Sequence, residues 1–188
     1  RGVGRDLRAL AEQVFRAQYQ GYGKEVANPG SQTETFVDLT LFSTDKRWQN
    51  VPIRLTTGKN LDQKLTEIKI SFKKTSAQAS NMLVFRIQPR EGIELDLWVK
   101  EPGYERRLQK LKLSFEYDRH FGRLPDAYEQ VLVDAMRGNH SLFASSGEVL
   151  ASWRILQPVL EYWSMDKSNL KIYKPGSNVS QVLSLHKV

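Results

Sequence analysis

Two lysines and one glutamine lie beside predicted strand ends, where their side chains could bind a ligand. Lys59 follows Gly58 in the segment TTGKNLDQK, and Lys64 lies five positions further on. Both ammonium groups are charged near neutral pH, and such a pair suits a phosphate monoester. Gln88 ends the run MLVFRIQ before Pro89, where an amide can both donate and accept hydrogen bonds. On pattern alone, solvated lysines and a strand-ending polar residue explain the same letters.

The motifs of other chemistries are missing from the sequence. No segment reads G-x-G-x-x-G, and Gly58-Lys59 lacks the further residues of a P-loop. The histidines His120, His140 and His186 have no metal-ligand spacing, so no metal site is predicted. The chain has no cysteine, which excludes disulfides and thiolate catalysis and is typical of an intracellular setting.

The composition is that of a basic globular protein. Among 188 residues, 28 Lys and Arg against 21 Asp and Glu give a net charge of +7, which favours anionic partners such as phosphorylated metabolites or nucleic acid. The basic residues are scattered, which is typical of a solvated face. No signal peptide or long apolar run is present, so we expect no membrane segment. The length and the 40% hydrophobic content predict a single domain over residues 1–188.

Periodic apolar residues predict an α+β fold. A short helix is expected around Leu7–Val14, followed by a surface loop. Six strands with period-two alternation follow, centred on residues 37–41, 53–55, 68–72, 83–87, 93–99 and 111–117. Two helices come last, one ending at Gly138 and one beginning at Ser145. Asp126 and Glu129 at the start of the first of these are interpreted as caps rather than as paired catalytic acids.

This order of elements predicts a largely antiparallel multi-stranded sheet with helices packed on one face. If the other face carries apolar residues, a second copy of the sheet is the usual cover, so we expect a dimer interface there. Residues 170–188 are polar and are predicted to form a loose tail.

Five segments in a fixed order resemble the glucose-6-phosphate dehydrogenase family over residues 16–163. They are RAQYQGY, TETFVDLTLFSTDKRWQNVPIRLTTGKNLDQKLTEIKISFK, NMLVFRIQPREGI, LPDAYEQVLVDAMRGNHSLF and EVLASWRILQPVLEYW. In that family the lysine of an R-x-G-K turn, a basic residue five positions later and the glutamine of an R-[IV]-Q-P segment are on the substrate side. The resemblance therefore implies Lys59, Lys64 and Gln88 as substrate-binding residues.

The sequence departs from the family pattern at three positions. Thr56 stands where many relatives have the arginine of the R-x-G-K turn. Some relatives bind a second, structural NADP in this domain through basic and aromatic residues, and here Leu65 and Asp96 stand where cations are expected. The resemblance thus predicts no NADP bound by this chain.

The resemblance implies a part of an enzyme. The family oxidises glucose 6-phosphate to 6-phosphogluconolactone with NADP, in the oxidative pentose phosphate pathway, and the similarity covers its C-terminal, substrate-side and dimerisation domain. The NADP-binding Rossmann domain and the catalytic histidine have no counterpart in these residues, so the chain alone is expected to be inactive. A cytoplasmic homodimer or tetramer that binds no nucleic acid is the expectation; the alternative that charge allows is a non-catalytic module for nucleic acid or other phosphorylated ligands.

Overall fold

The computed structural model describes residues 14–43, 45–74, 80–122, 126–141 and 143–186. These ranges hold eight strands, five α-helices and a 3₁₀ turn at Lys46–Trp48. The strands are β1 Val14–Tyr19, β2 Phe36–Phe42, β3 Pro52–Gly58, β4 Thr66–Ser71, β5 Met82–Gln88, β6 Gly92–Lys100, β7 Leu108–Glu116 and β8 Lys171–Tyr173. The helices are α1 Tyr22–Glu25, α2 Tyr117–Phe121, α3 Ala127–Arg137, α4 Ser146–Met165 and α5 Val179–Ser184.

The predicted α+β class is confirmed, with two sheets in place of one. The chain divides into two compact units, the first formed by Arg1–Gln63 with Ala144–Val188 and the second by Lys64–Phe143. Each unit contains a four-stranded sheet, in the order β3-β2-β1-β8 and β4-β5-β6-β7. All six predicted strands are present, and β3 and β4 are edges of different sheets. The single-domain boundary over residues 1–188 stays a prediction.

Strand β1 is central to the first unit, and the sequence reading did not include it. The helix predicted around Leu7–Val14 lies outside the described residues except for Val14, which begins β1. All six residues of β1 are buried, including the polar Arg16 and Gln18, so the polar–apolar alternation of FRAQY does not mark a solvent face. The strand pairs antiparallel with β2 and parallel with β8.

Helices cover both faces of β1, whereas the sequence predicted helices on one face. Successive residues of a strand point to opposite faces. On one face Val14 and Leu39 pack against Val159 and Trp163 of α4. The other face forms a second cluster, with α5 contributing to it; its buried members are Phe15, Ala17, Tyr19, Phe36, Tyr173 and Val182.

The prediction of a loose tail is wrong over residues 171–186. Strand β8 pairs with β1, and Tyr173 is 3% exposed. Helix α5 begins at an Asn178 capping box and places Val182, which is fully buried, in the core. Burying such an apolar side chain contributes about 1.5–3 kcal/mol, which offsets the polar composition of the segment.

The second unit has an antiparallel sheet with one apolar and one ionic face. Residues opposite each other in the register share a face, as in the row formed by Ile70, Leu83, Leu95 and Leu113. The ionic face carries the pairs Arg86–Glu94, Lys110–Asp96 and Lys112–Glu94, at 3.0, 2.9 and 2.9 Å. The apolar face is left partly open, and Leu113 is 57% exposed.

The two long helices begin at capping boxes, which was predicted for Ser145, whereas Asp126 and Glu129 were predicted only as caps. The Asp126 side chain accepts from the Tyr128 N–H at 2.8 Å, and Glu129 reaches back to the Asp126 N–H. In α4, Ser145 and Glu148 form the same reciprocal arrangement. Gly138 ends α3 in the left-handed conformation, with a φ of 67°. In the described ranges no helix is both long and apolar enough to cross a bilayer.

Candidate functional site: the Lys59 turn and the β4–β5 strand end

The turn that carries Lys59 leaves the end of β3 in a closely packed environment. A Cβ on Gly58 would lie 2.6 Å from Cδ2 of Phe36 and 2.9 Å from Cδ1 of Leu61, so a larger residue would displace the core beneath the turn. Asn60 adopts a φ of 52°, a left-handed conformation that asparagine tolerates better than most residues. Glycine and asparagine therefore give this turn its path.

Hydrogen bonds hold both main-chain groups of Lys59 in the turn. The Lys59 N–H donates to the Thr35 carbonyl at 2.8 Å, which extends the β2–β3 pairing by one step. The Tyr173 hydroxyl donates to the Lys59 carbonyl at 2.6 Å. Both main-chain groups of Lys59 are thus bonded, while its side chain is exposed.

The ammonium group of Lys59 is available to an anion. In the part of the chain that the structure describes, no carboxylate lies within ion-pair distance of its Nζ. By contrast, Lys110 and Lys112 of the second unit are each paired with a carboxylate. A lysine with a fixed backbone and an unpaired ammonium can give a point charge to a phosphate oxygen.

Lys64 and Gln88 lie near the same end of the sheet in the second unit. Gln88 is the last residue of β5 and lies opposite Thr66, the first residue of β4, with Lys64 two positions earlier in the chain. Both side chains are exposed, and the Gln88–Pro89 peptide is cis. The structure thus brings Lys64 and Gln88 to the same strand end, and Lys59 lies in the first unit. A joint site for all three stays a prediction.

Thr56, which replaces the family arginine, belongs to a hydrogen-bonded group on β2 and β3. Its hydroxyl donates to Oδ1 of Asp38 at 2.6 Å, and Arg54 makes a two-point contact with the same carboxylate at 2.8 and 3.0 Å. The hydrogen bonds that Arg54 donates to Asp38 raise the pKa of Arg54. Because Thr56 is uncharged and Arg54 is paired with Asp38, neither residue offers a free cation to a phosphate.

The ionic face of the second sheet is a poor fit for the phosphates of a second dinucleotide. Asp96 is buried, and the hydrogen bond from Lys110 holds its pKa below the usual value. Arg86 contacts Glu94 at 3.0 Å and Glu116 at 3.6 Å. The cations therefore already have carboxylate partners. These charges support the expectation that this chain binds no structural NADP, which stays a prediction.

The histidines contact aromatic rings rather than the Lys59 turn. His120 packs on Phe115 with ring centroids 4.4 Å apart, and its Nδ1 is 3.1 Å from the Glu116 carbonyl oxygen. His186 packs on Phe15 at 5.0 Å. Among the described residues, no group of three or more potential ligands could hold a metal ion.

Tyr173 and Thr35 contact the main chain of Lys59, and neither was predicted from the sequence. Tyr173 lies in β8, and its hydroxyl also lies 3.1 Å from Oγ1 of Thr35. Nothing in the sequence near Lys59 points to either residue, because the contact from Tyr173 crosses most of the chain. The short motif YKPGS at residues 173–177, a turn signal after an aromatic residue, is the available clue.

Comparison with known proteins gives this arrangement a family. The family model described as glucose-6-phosphate dehydrogenase, C-terminal domain, matches residues 5–184. Curated relatives named glucose-6-phosphate 1-dehydrogenase include those of Chlamydia trachomatis, 39% identical over 84% of this chain, and Borreliella burgdorferi, 38% identical over 86%. The chain spans 39% and 35% of the length of these relatives.

Solved structures give the same answer for the fold. A glucose-6-phosphate dehydrogenase in complex with its substrate glucose-6-phosphate matches 93% of this chain and 40% of that protein, with a TM-score of 0.79 and 30% identity. Glucose-6-phosphate 1-dehydrogenase from Mycobacterium avium matches 88% of this chain and 36% of that protein, with a TM-score of 0.72 and 30% identity.

The chain has an α+β fold with two mainly antiparallel sheets, and the family model matches it along almost its whole length. Together these findings define it as the C-terminal domain of a dehydrogenase. The chain belongs to the glucose-6-phosphate dehydrogenase family, and the match is to the C-terminal domain of that family. The resemblance inferred from the five ordered segments is confirmed.

Proposed function

We propose that this chain is the C-terminal, substrate-side domain of a glucose-6-phosphate 1-dehydrogenase, an NADP-dependent oxidoreductase of the oxidative pentose phosphate pathway. The observation that carries the proposal is the Lys59 turn, which presents from a fixed backbone an ammonium group with no carboxylate partner among the described residues. Support comes from the family match over residues 5–184 and from a similar protein solved with glucose 6-phosphate. The family match spans both units, which supports treating them as one domain.

Within the proposed site, the three polar side chains have separate roles. Lys59 gives a positive charge to the phosphate of glucose 6-phosphate, and Lys64 adds a second. Gln88 contacts sugar hydroxyls, since its amide matches their donors and acceptors. These roles orient the substrate and offset its negative charge.

The oxidation itself requires groups outside these 188 residues. In the complete enzyme, hydride would pass from C1 of the sugar to NADP and the C1 hydroxyl proton to a histidine, which would leave 6-phosphogluconolactone. The resemblance assigns the nucleotide to the N-terminal Rossmann domain and the proton acceptor to the histidine of an Asp-His-Tyr segment, and neither has a counterpart in this sequence. The hydride acceptor would be NADP held by the other domain, and we expect the chain alone to be inactive.

The open apolar face of the second sheet is proposed to meet a second copy of the chain. Ile68, Ile70, Leu111 and Leu113 are exposed on this face. A self-complementary contact between two such faces buries them in a two-fold homodimer, from which a tetramer can be built.

The parent enzyme is proposed to be cytoplasmic, and cell fractionation tests this.

A nucleic-acid module is the less favoured function. Its basis is net charge, and the basic residues of the second sheet are matched by carboxylates. Salt-dependent binding of duplex DNA by the full-length protein, without dehydrogenase activity, would support it instead.

The test of the proposed function is Lys59→Ala in the full-length enzyme. We expect the KM for glucose 6-phosphate to rise about tenfold to a hundredfold, because a hydrogen bond to a charged group is worth about 1.5–3 kcal/mol. The KM for NADP is expected to stay within about twofold of the wild-type value, because the lost contact is to the sugar phosphate alone.

The matched control is Lys46→Ala, which removes the same charge. Lys46 is exposed in the loop between β2 and β3, at the opposite end of that hairpin from Lys59. We expect it to leave both KM values unchanged. Equal KM values for the Lys59 variant and the wild type would refute the assignment of Lys59 to the substrate.

A further inference from the structure

The Lys59 turn is held by a strand from the far end of the chain. Tyr173 of β8 is 3% exposed, and its hydroxyl lies 2.6 Å from the Lys59 carbonyl oxygen. We propose that Tyr173 is a positioning residue for substrate binding, which holds the Lys59 main chain so that the ammonium group faces the sugar phosphate. This inference rests on the proposed function, because it assigns Tyr173 a role in the site that Lys59 defines.

The hydrogen bonds around Tyr173 form a directed chain. The Tyr19 N–H donates to Oγ1 of Thr35 at 2.9 Å, and that hydroxyl lies 3.1 Å from the Tyr173 hydroxyl. With one proton on each hydroxyl, Thr35 donates to Tyr173 and Tyr173 donates to Lys59. Burial raises the pKa of Tyr173, so the hydroxyl stays protonated at neutral pH and remains a donor. The last hydrogen bond of this series is therefore donated by Tyr173 to the Lys59 carbonyl.

Residues that follow Tyr173 hold the rest of the turn. The Gly176 N–H donates to the Asn60 carbonyl at 2.8 Å, and the Asp62 N–H donates to the Ser177 carbonyl at 3.1 Å. Together with the contact from Tyr173, these bonds hold the main chain of the turn at Lys59, Asn60 and Asp62. The segment 173–177 thus packs along the turn and is hydrogen-bonded to it, and Tyr173 is its buried residue.

Fixing the backbone matters because a lysine side chain has many rotamers. Ordering a long side chain costs conformational entropy on binding, and a mobile backbone adds to that cost. A turn that is already held at both main-chain groups of Lys59 lowers this cost. The contribution of Tyr173 is therefore expected in substrate affinity rather than in the chemical step.

The test is Tyr173→Phe in the full-length enzyme, which removes the hydroxyl and keeps the buried ring. We expect the KM for glucose 6-phosphate to rise about fivefold to tenfold, in line with a buried carbonyl left without its donor. The kcat and the KM for NADP are expected to change less than about twofold, because among the described residues the hydroxyl contacts only the Lys59 turn and Thr35, which pairs with it. Amide hydrogen exchange over residues 59–62 should become about tenfold faster.

The matched control is Tyr19→Phe. Tyr19 belongs to the same buried cluster as Tyr173, but its hydroxyl donates to Glu25 rather than to the Lys59 turn. This variant loses an equivalent hydroxyl and should leave the KM and the exchange over residues 59–62 unchanged. Equal rises in KM for the two variants would mean a general loss of packing and would overturn the positioning role.

A double variant separates this inference from the proposed function. If Tyr173 acts through Lys59, adding Tyr173→Phe to Lys59→Ala raises the KM less than about twofold further; a full additional rise of about fivefold overturns the inference. If Lys59→Ala alone leaves the KM unchanged, the proposed function fails. The exchange rate over residues 59–62 then still decides whether Tyr173 holds the turn, and an unchanged rate overturns that role.

Thr35→Val is the second variant, in case Tyr173→Phe fails to fold. It removes the hydroxyl that donates to Tyr173 while leaving Tyr173 in place. The same rise in KM and the same faster exchange are expected, and Thr35→Ser, which keeps a hydroxyl, should restore both. Wild-type values for Thr35→Val would count against the hydrogen-bonded chain.

Discussion

Replacing Arg16 with methionine tests how α4 is attached to the sheet of the first unit. Arg16 is 3% exposed, and its Nη2 donates to the carbonyls of Trp163 and Asp166 at 3.2 and 2.9 Å. Its Nε donates to Oδ1 of Asn169 at 2.6 Å, and the guanidinium lies 5.4 Å from the centre of the Trp163 ring. One side chain of β1 therefore satisfies carbonyls at the C-terminal end of α4, where a helix has no partners of its own.

The expected cost follows from these contacts. Each buried acceptor left without a partner costs about 1–3 kcal/mol, which makes about 2–6 kcal/mol for two carbonyls. Arg16 also lines an open cleft together with Glu34 and Trp163, so water can replace part of the lost hydrogen bonding. Burial lowers the pKa of Arg16, which reflects a desolvation cost that methionine avoids. We therefore expect a loss of about 3 kcal/mol in the free energy of unfolding.

Urea unfolding followed by far-ultraviolet circular dichroism measures this loss. The matched control is Arg47→Met, since Arg47 is exposed and its contact with Asp45 is a surface ion pair at 2.7 Å. We expect the control to lose less than about 0.5 kcal/mol. A loss below about 1 kcal/mol for the Arg16 variant, or equal losses for the two arginines, would refute this account of how α4 is attached.

Two further predictions concern the sheet face and the C-terminal helix. Leu113→Lys should convert the proposed dimer to monomers in analytical ultracentrifugation, while Ser114→Lys, on the opposite face beside Glu94, should not; dimers for both variants would exclude this face as the interface. Val182→Ala should lower the free energy of unfolding by about 2 kcal/mol because it leaves a cavity in the core. Val179→Ala, at an exposed position of the same helix, should cost less than about 0.5 kcal/mol, and equal costs would contradict the packing of α5.

Local patterns were sufficient for much of the second unit and for both long helices. Strands β4 to β7 alternate apolar residues such as Leu83 and Phe85 with polar ones, because one face of their sheet is apolar and the other ionic. The capping boxes at Asp126 and Ser145 are readable because both partners lie within three residues. Gly58 and Lys59 indicated the turn for the same reason.

The first unit was harder to predict, because its strands are defined by partners far away in the chain. Strand β1 directly follows a helical pattern, and both of its faces are buried together with the polar residues Arg16 and Gln18, which local polarity does not predict. Strand β8 has three residues and exists through its pairing with β1. In α5, a single fully buried side chain, Val182, ties a polar segment to the core.

The sequence by itself determined the family, the α+β class, the six alternating strands and the choice of Lys59, Lys64 and Gln88 as candidate ligands. The class and the strands depend on residue types and short spacings, and the family and the three candidate residues depend on the resemblance of five ordered segments, all of which are present before the chain folds. Tertiary structure alone decided that there are two sheets, that residues 171–186 complete the first unit, and that Tyr173 supports Lys59. The reason is physical: burial and hydrogen bonding between distant segments depend on which surfaces meet, and no local pattern specifies that meeting.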